Sequence, residues 1–146
     1  MKSVISILAG LILFSSQAIF ASEDLAGLRY WNEIDSEAIE TSSGLQYKVL
    51  IMGTGRKPDG KKKVKVHYRG IFLDGRQFDT SFGNDEPIEF SLRKVIDGWA
   101  EGVQLMPVGS VFVFLIPPEL AYGSKTSSGI PADSTLIFEI ELFGYR

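Results

Sequence analysis

The segment from Lys63 to Phe78 constrains the fold most, because a strand-like alternation leads into an Asp-Gly pair. Val66 and Tyr68 share one face of the predicted strand, since successive side chains of a strand point to opposite faces. Asp74-Gly75 supplies the positive φ angles that a tight hairpin requires. The pattern therefore predicts two antiparallel strands, with Tyr68 and Phe78 on neighbouring strands.

The rest of the chain carries further strand patterns and one short helix. Alternating or continuous apolar residues predict strands at 45–51, 88–92, 111–116 and 136–142. Asp97 is expected to cap a helix that runs to Leu105, where Pro107 and Gly109 stop it. About five hairpin-linked strands against one short helix predict an antiparallel α+β fold.

Residues 1–21 have the pattern of a secretory signal peptide. Lys2 gives a positive start, Val4 to Phe14 is mainly apolar, and small residues follow. This run is shorter than the roughly 20 apolar residues of a membrane span, so we expect cleavage and no stable membrane insertion. The expected cut precedes Ser22, with a cut after Ala18 as the alternative. The protein is then exported, to a periplasm or to the cell exterior.

Residues 22–42 form an N-terminal arm ahead of a single domain at 43–146. Apolar residues three and four apart predict an amphipathic helix over Asp24 to Glu40. This helix is expected to cover the sheet face turned away from the core, within one chain or in a second copy. The protein is then a monomer or a weak dimer through the arm. The residues expected on that sheet face are Val111, Val113, Leu115, Ile137 and Phe143.

The candidate site is a group of aromatic and apolar residues around one carboxylate. A pocket without a nucleophile suits ligand binding or catalysis of a conformational change, and proline isomerisation leads among these. The chain has no cysteine, and its only histidine, His67, is expected to face water, which argues against a hydrolase and against a metal centre. A net charge of −3 argues against nucleic acid. The site residues are Tyr68, Phe78, Asp79, Val95, Ile96 and Trp99.

Six blocks of the sequence resemble the FKBP-type peptidyl-prolyl cis-trans isomerases, in particular the exported, macrophage infectivity potentiator-like bacterial branch. The likeness runs from about Ser43 to Phe143. It implies a strongly twisted antiparallel sheet wrapped around one short helix, and it implies no cofactor. The blocks are Val66-His67-Tyr68-Arg69-Gly70, Asp74-Gly75-Arg76-Gln77-Phe78-Asp79-Thr80-Ser81, Val95-Ile96-Asp97-Gly98-Trp99, residues 102–110, Leu120-Ala121-Tyr122-Gly123 and residues 136–142.

The resemblance also implies a role for each site residue. Trp99 is expected to floor the pocket, with Phe78 and Phe138 as walls around the prolyl ring. The backbone N–H of Ile96 and the Tyr122 hydroxyl are expected to hold ligand carbonyls. The implied catalytic residues are Tyr68, Asp79 and Tyr122, and the implied substrate-binding residues are Phe78, Val95, Ile96, Trp99, Ile130 and Phe138.

The implied partners are proline-containing polypeptides of exported proteins and macrolide inhibitors of the rapamycin type. One departure from the family pattern affects the carboxylate, because Asn84 stands where many relatives have an arginine. The Tyr68 hydroxyl is therefore the expected partner of Asp79. The alternative function is a non-catalytic chaperone or proline-peptide-binding module on the same fold.

Overall fold

A single antiparallel sheet of seven strands organises the chain in the computed structural model, which describes residues 25–146. The predicted signal peptide and the start of the predicted arm lie outside the described residues. The spatial order is β1-β2-β6-β7-β3-β4, with β5 also paired to β3. The strands are β1 (Ile39–Glu40), β2 (Gln46–Ile51), β3 (Lys63–Phe72), β4 (Gln77–Thr80), β5 (Ile88–Ser91), β6 (Val111–Ile116) and β7 (Leu136–Tyr145).

The long strand β3 pairs with three other strands of the sheet. One of its edges pairs with β7 along its whole length, while the other edge pairs with β5 through residues 63–66 and with β4 through residues 69–71. The predicted hairpin around Asp74-Gly75 is confirmed: Gly75 has a φ of 90°, and Asp74 Oδ1 accepts a 2.9 Å hydrogen bond from the Arg76 N–H. The hairpin places β4 beside Tyr68.

Both predicted helices are present, but each is shorter than expected. Helix α1 spans Ala26–Glu33 and α2 spans Asp97–Val103, followed later by a 3₁₀ helix at Pro118–Leu120. The predicted cap was wrong, because Ile96 is the N-cap of α2 and Asp97 lies in its first turn.

Helix α1 ends earlier than predicted because Lys48 and strand β2 make hydrogen bonds with the end of the helix and the chain that follows it. Lys48 Nζ donates hydrogen bonds to the carbonyls of Trp31 and Ile34 at 3.0 and 3.2 Å. Residues 39 and 40, predicted to be helical, instead pair with β2 as β1. The predicted count of about five strands was low in part because β1 was predicted to be helical.

The inner face of the sheet packs on α2, and together they form the main core. Trp99 and Val103 of α2 are buried there against residues of β3, β6 and β7. The antiparallel α+β class predicted from the sequence is confirmed, with one short helix enclosed by the sheet.

The opposite face of the sheet is covered by α1 of the same chain, as the amphipathic pattern predicted. Trp31 is 4% exposed and belongs to a second core cluster with Ile71, Val113 and Ile137. Phe143, also expected under the arm, is exposed and does not belong to this cluster. Within residues 25–146, no helix has the length and apolar character needed to cross a bilayer.

Candidate active site

A cavity of about 410 Å³ opens beside α2, where β3, β4, β5 and β7 converge with two loops. Seven residues predicted for the site line it, so the structure brings together side chains that are up to 70 positions apart in sequence. Phe90 and Lys94 complete the lining. The lining residues are Tyr68, Asp79, Phe90, Lys94, Val95, Ile96, Trp99, Tyr122 and Phe138.

The indole of Trp99 forms the base of this cavity and is 5% exposed. Three rings meet it edge to face, with centroid distances of 5.3 Å to Tyr68, 5.6 Å to Phe90 and 5.4 Å to Phe138. Edge-to-face contacts between aromatic rings are favourable because the positive edge of one ring meets the negative face of another. The indole is therefore fixed by rings on several sides, and the cavity has an apolar floor.

Tyr68 and Asp79 supply the polar group of the cavity wall. The Tyr68 hydroxyl donates a 2.7 Å hydrogen bond to Asp79 Oδ2, as predicted from the hairpin. The backbone of Tyr68 is also held in place, because its N–H donates to Ser81 Oγ at 2.8 Å. Burial, followed by the hydrogen bond to Asp79, raises the pKa of the Tyr68 hydroxyl well above its ordinary value. Tyr68 therefore stays a hydrogen-bond donor throughout the physiological range.

Ile96 and Tyr122 present polar groups at the rim. The Ile96 carbonyl accepts the first hydrogen bonds of α2, while its own N–H makes no backbone hydrogen bond within the part of the chain that the structure describes. Tyr122 follows the 3₁₀ helix and is 37% exposed. Its loop is held by the Gly123 N–H, which donates to the Pro118 carbonyl at 2.8 Å. Two residues that each carry a hydrogen-bond donor, the Ile96 N–H and the Tyr122 hydroxyl, thus line the same cavity.

Phe78 and Ile130, the other two predicted site residues, are not among the lining residues of the cavity. Phe78 packs edge to face on Phe138, with ring centroids 5.4 Å apart. Ile130 is buried in the main core. Phe78 supports the phenyl wall from behind, and direct contact of either residue with a substrate remains a prediction.

Phe90 and Lys94 are the lining residues that the sequence reasoning missed. Phe90 alternates with Ile88 and Leu92, which is the pattern of a core residue in a strand, and it is half-buried against both Tyr68 and Trp99. The sequence feature that could have identified Phe90 is its position near the end of a strand, five residues before the predicted site residue Val95. Lys94 is an exposed residue in a turn, and no periodicity marks it.

The histidine lies on the far side of the sheet from the cavity. The expectation that it faces water was only partly right, because the imidazole of His67 is half-buried between the rings of Phe82 and Phe143, each 5.5 Å away. His67 Nδ1 and Ser81 Oγ are 3.0 Å apart. Across residues 25–146, no three His, Asp or Glu side chains are grouped so that they could hold a metal ion.

Comparison with known proteins gives the family. The family model for FKBP-type peptidyl-prolyl cis-trans isomerases matches residues 54–143. FkpA of Aeromonas hydrophila, an FKBP-type peptidyl-prolyl cis-trans isomerase, is 55% identical over 102 residues, which are 70% of this chain and 38% of that protein. The FKBP-type 22 kDa isomerase of Escherichia coli K12 is 45% identical over 119 residues, which are 80% of this chain and 58% of that protein. The chain thus spans about 40–60% of the length of these relatives.

Solved structures show the same fold. The crystal structure of Escherichia coli FkpA superposes with a TM-score of 0.74 at 37% identity, covering 89% of this chain and 62% of that one. A peptidyl-prolyl isomerase from Pseudomonas syringae pv. tomato gives a TM-score of 0.71 at 32% identity, covering 90% of this chain and 96% of that one. The family model covers more than half of the chain and these neighbours share its architecture, so the chain belongs to the FKBP-type peptidyl-prolyl cis-trans isomerase family.

Proposed function

We propose that this protein catalyses the cis–trans isomerisation of X-Pro peptide bonds and so assists the folding of exported proteins. The observation that carries the proposal is the aromatic cavity above Trp99, with the Tyr68–Asp79 pair as its polar wall. Family membership supports the same reaction. Because isomerisation breaks no covalent bond, it requires no covalent nucleophile and can proceed in an aromatic cavity of this kind.

The physical task is to lower the barrier to rotation about the C–N bond of the prolyl imide. That barrier is about 18–20 kcal/mol because rotation breaks amide resonance. The planar imide separates charge between O and N, and this separation collapses in the twisted state. A water-poor aromatic cavity therefore destabilises the planar form relative to the twisted form, and only interactions stronger in the twisted state accelerate rotation.

The side chains divide this task between them. Trp99 and Phe138 receive the prolyl ring, whose burial contributes about 0.8 kcal/mol per CH₂ to binding. The Ile96 N–H and the Tyr122 hydroxyl bind the substrate carbonyls, and Tyr68 with Asp79 orients the polar end of the twisted imide. Phe78, Val95 and Ile130 complete the apolar surroundings. The reaction requires no metal or cofactor.

The substrates that follow from this site are proline-containing polypeptides, and macrolides of the rapamycin type are expected to compete for the same cavity. We propose cleavage of residues 1–21 during export, an arm at 22–42 and an isomerase domain at 43–146. Export to a periplasm fits the signal-peptide pattern of residues 1–21. The mature protein is then a monomer or a weak dimer through its arm.

A coupled isomerisation assay tests this function. The mature chain is added in catalytic amounts to a chromogenic proline peptide, with and without rapamycin, and the cis-to-trans rate is followed. We expect acceleration that rapamycin abolishes. Binding of the peptide without acceleration would instead assign the chain to the non-catalytic, proline-peptide-binding alternative.

A further inference from the structure

Among the described residues that line the cavity, Lys94 is the one that is basic. Its backbone N–H donates a 2.9 Å hydrogen bond to the Ser91 carbonyl, which closes a turn after β5. Leu92, 2% exposed, anchors this turn in the core. Lys94 is therefore held at the rim, directly before Val95 and Ile96, which also line the cavity.

Among the residues that the structure describes, the ammonium group of Lys94 has no partner. It makes no hydrogen bond, ion pair or aromatic contact with any of the residues 25–146. Asp79 is the only carboxylate among the described lining residues, and its Oδ2 accepts the hydrogen bond from Tyr68. The neighbouring Arg93 is exposed and lies outside the lining, as does Asp97 in the first turn of α2. The rim thus offers one unpaired positive charge to whatever enters the cavity.

We propose that Lys94 gives this isomerase a preference for prolyl bonds that have an Asp or Glu within two residues of the proline. This inference rests on the proposed isomerase function. A polypeptide whose proline occupies the cavity must leave over the rim, so its adjacent side chains pass close to Lys94. A carboxylate there gains an ion pair with a cation that otherwise has none.

The expected size of the preference follows from the exposure of Lys94. Ion pairs between exposed side chains are weak, and they correspond to about a two- to fivefold change in binding. Salt weakens the attraction within such pairs because the Debye length falls to about 10 Å at 0.1 M ionic strength. We therefore expect the preference to be measurable at low salt and to shrink at high salt.

Matched peptides test the proposal. Each pair carries Glu or Gln at one position, placed one or two residues before or after the proline, and kcat/KM is measured for both members. In the wild-type protein we expect a Glu/Gln ratio of about two to five at one or more positions. Lys94→Gln should bring this ratio to about one, and Lys94→Glu should reverse it.

Arg93→Gln is the matched control, because it removes the same charge from the adjacent exposed residue. It should leave the Glu/Gln ratio unchanged. The proposal is overturned if the wild-type ratio is one at every position, or if Arg93→Gln lowers the ratio as much as Lys94→Gln does.

Binding separates a failure of this inference from a failure of the proposed function. The same peptide pairs are titrated by NMR, and the ratio of their affinities is compared between wild type and Lys94→Gln. Absence of turnover with every peptide would refute the isomerase function, and the affinity ratio would then still decide the role of Lys94. Turnover with a wild-type ratio of one would refute the role of Lys94 and leave the function standing.

Discussion

The Tyr68 hydroxyl and Asp79 Oδ2 are joined by a 2.7 Å hydrogen bond that crosses the β3–β4 pairing at the wall of the cavity. Gly70 is the register partner of Asp79, which places Tyr68 diagonally opposite on the same face. Asp79 Oδ1 accepts no hydrogen bond from the residues that the structure describes. The pair therefore keeps one carboxylate oxygen available within an otherwise aromatic cavity.

Removing the carboxylate of Asp79 should reduce catalysis more than stability. We expect Asp79→Leu to lower kcat/KM about tenfold or more, equivalent to about 1.4 kcal/mol of transition-state stabilisation, because the twisted imide loses its polar partner. Isomerase assays and circular dichroism measure the two effects separately. Asp85→Leu, at an exposed loop position outside the lining, is the matched control. Equal turnover by Asp79→Leu and the wild type would show that the carboxylate has no role.

Adding a methyl group at Gly70 should disturb the phenyl wall. A Cβ at this position would lie 2.6 Å from Phe78 Cζ and 2.8 Å from Phe138 Cε1, so both rings would have to move. We expect Gly70→Ala to cost about 1–3 kcal/mol of unfolding free energy and to lower kcat/KM as well. Urea denaturation and peptide assays measure the two quantities. Gly83→Ala, where a Cβ meets nothing within 4 Å, should change neither, and wild-type behaviour of Gly70→Ala would contradict the prediction.

The sequence was sufficient to predict elements whose pattern is local. Alternation around Tyr68 and the turn chemistry of Asp74-Gly75 gave the β3–β4 hairpin, and with it the contact between Tyr68 and Asp79. Helix α1 was predicted too long because periodicity continues past Glu33, whereas hydrogen bonds from Lys48 fix the end of the helix. Lys48 is 15 residues beyond Glu33, so the local sequence pattern does not show that the helix ends there.

The composition of the cavity was only partly predictable for a similar reason. Residues on regular elements, such as Tyr68 and Trp99, carry a periodic signal, and the resemblance assigned them roles. Lys94 lies in a turn and Phe90 alternates like a core residue, so neither differs from its neighbours in the sequence. They line the cavity because β5 pairs with β3 beside α2. This pairing joins residues that are distant in sequence, so no local pattern shows it.

The arm should stabilise the domain from the face opposite the cavity. Trp31→Ala removes a buried indole from the cluster with Val113 and Ile137, and we expect a loss of about 3–5 kcal/mol in unfolding free energy. Well below the unfolding temperature, kcat/KM should be unchanged, because α1 does not line the cavity. Urea denaturation measures the loss, and Leu25→Ala, at an exposed position of the same arm, should cost little. A loss below 1 kcal/mol for Trp31→Ala would mean that the arm is not anchored as described.

Alkaline pH should reduce the contribution of Tyr30, in α1, to the free energy of unfolding. Its hydroxyl donates a 2.6 Å hydrogen bond to Glu139 Oε2, and burial together with this bond raises the pKa of Tyr30 to about 12. Because the folded pKa exceeds the unfolded value of about 10, the contribution to stability is complete below pH 10 and is lost between about pH 10 and 12. Tyr30→Phe should therefore lose less stability than the wild type on going from pH 9 to pH 11. Equal losses in the two proteins, measured from urea midpoints, would exclude this linkage.

The central claim is that the cavity rotates prolyl bonds and does not simply bind them, and NMR exchange spectroscopy tests it most directly. A short peptide with a single X-Pro bond is mixed with catalytic amounts of the mature chain, and the cis and trans signals are followed at equilibrium. The account predicts that the exchange rate rises above the uncatalysed value, which corresponds to about 10–100 s, while the cis-to-trans ratio stays the same. Shifted peptide signals without any increase in the exchange rate, at any protein concentration, would contradict it.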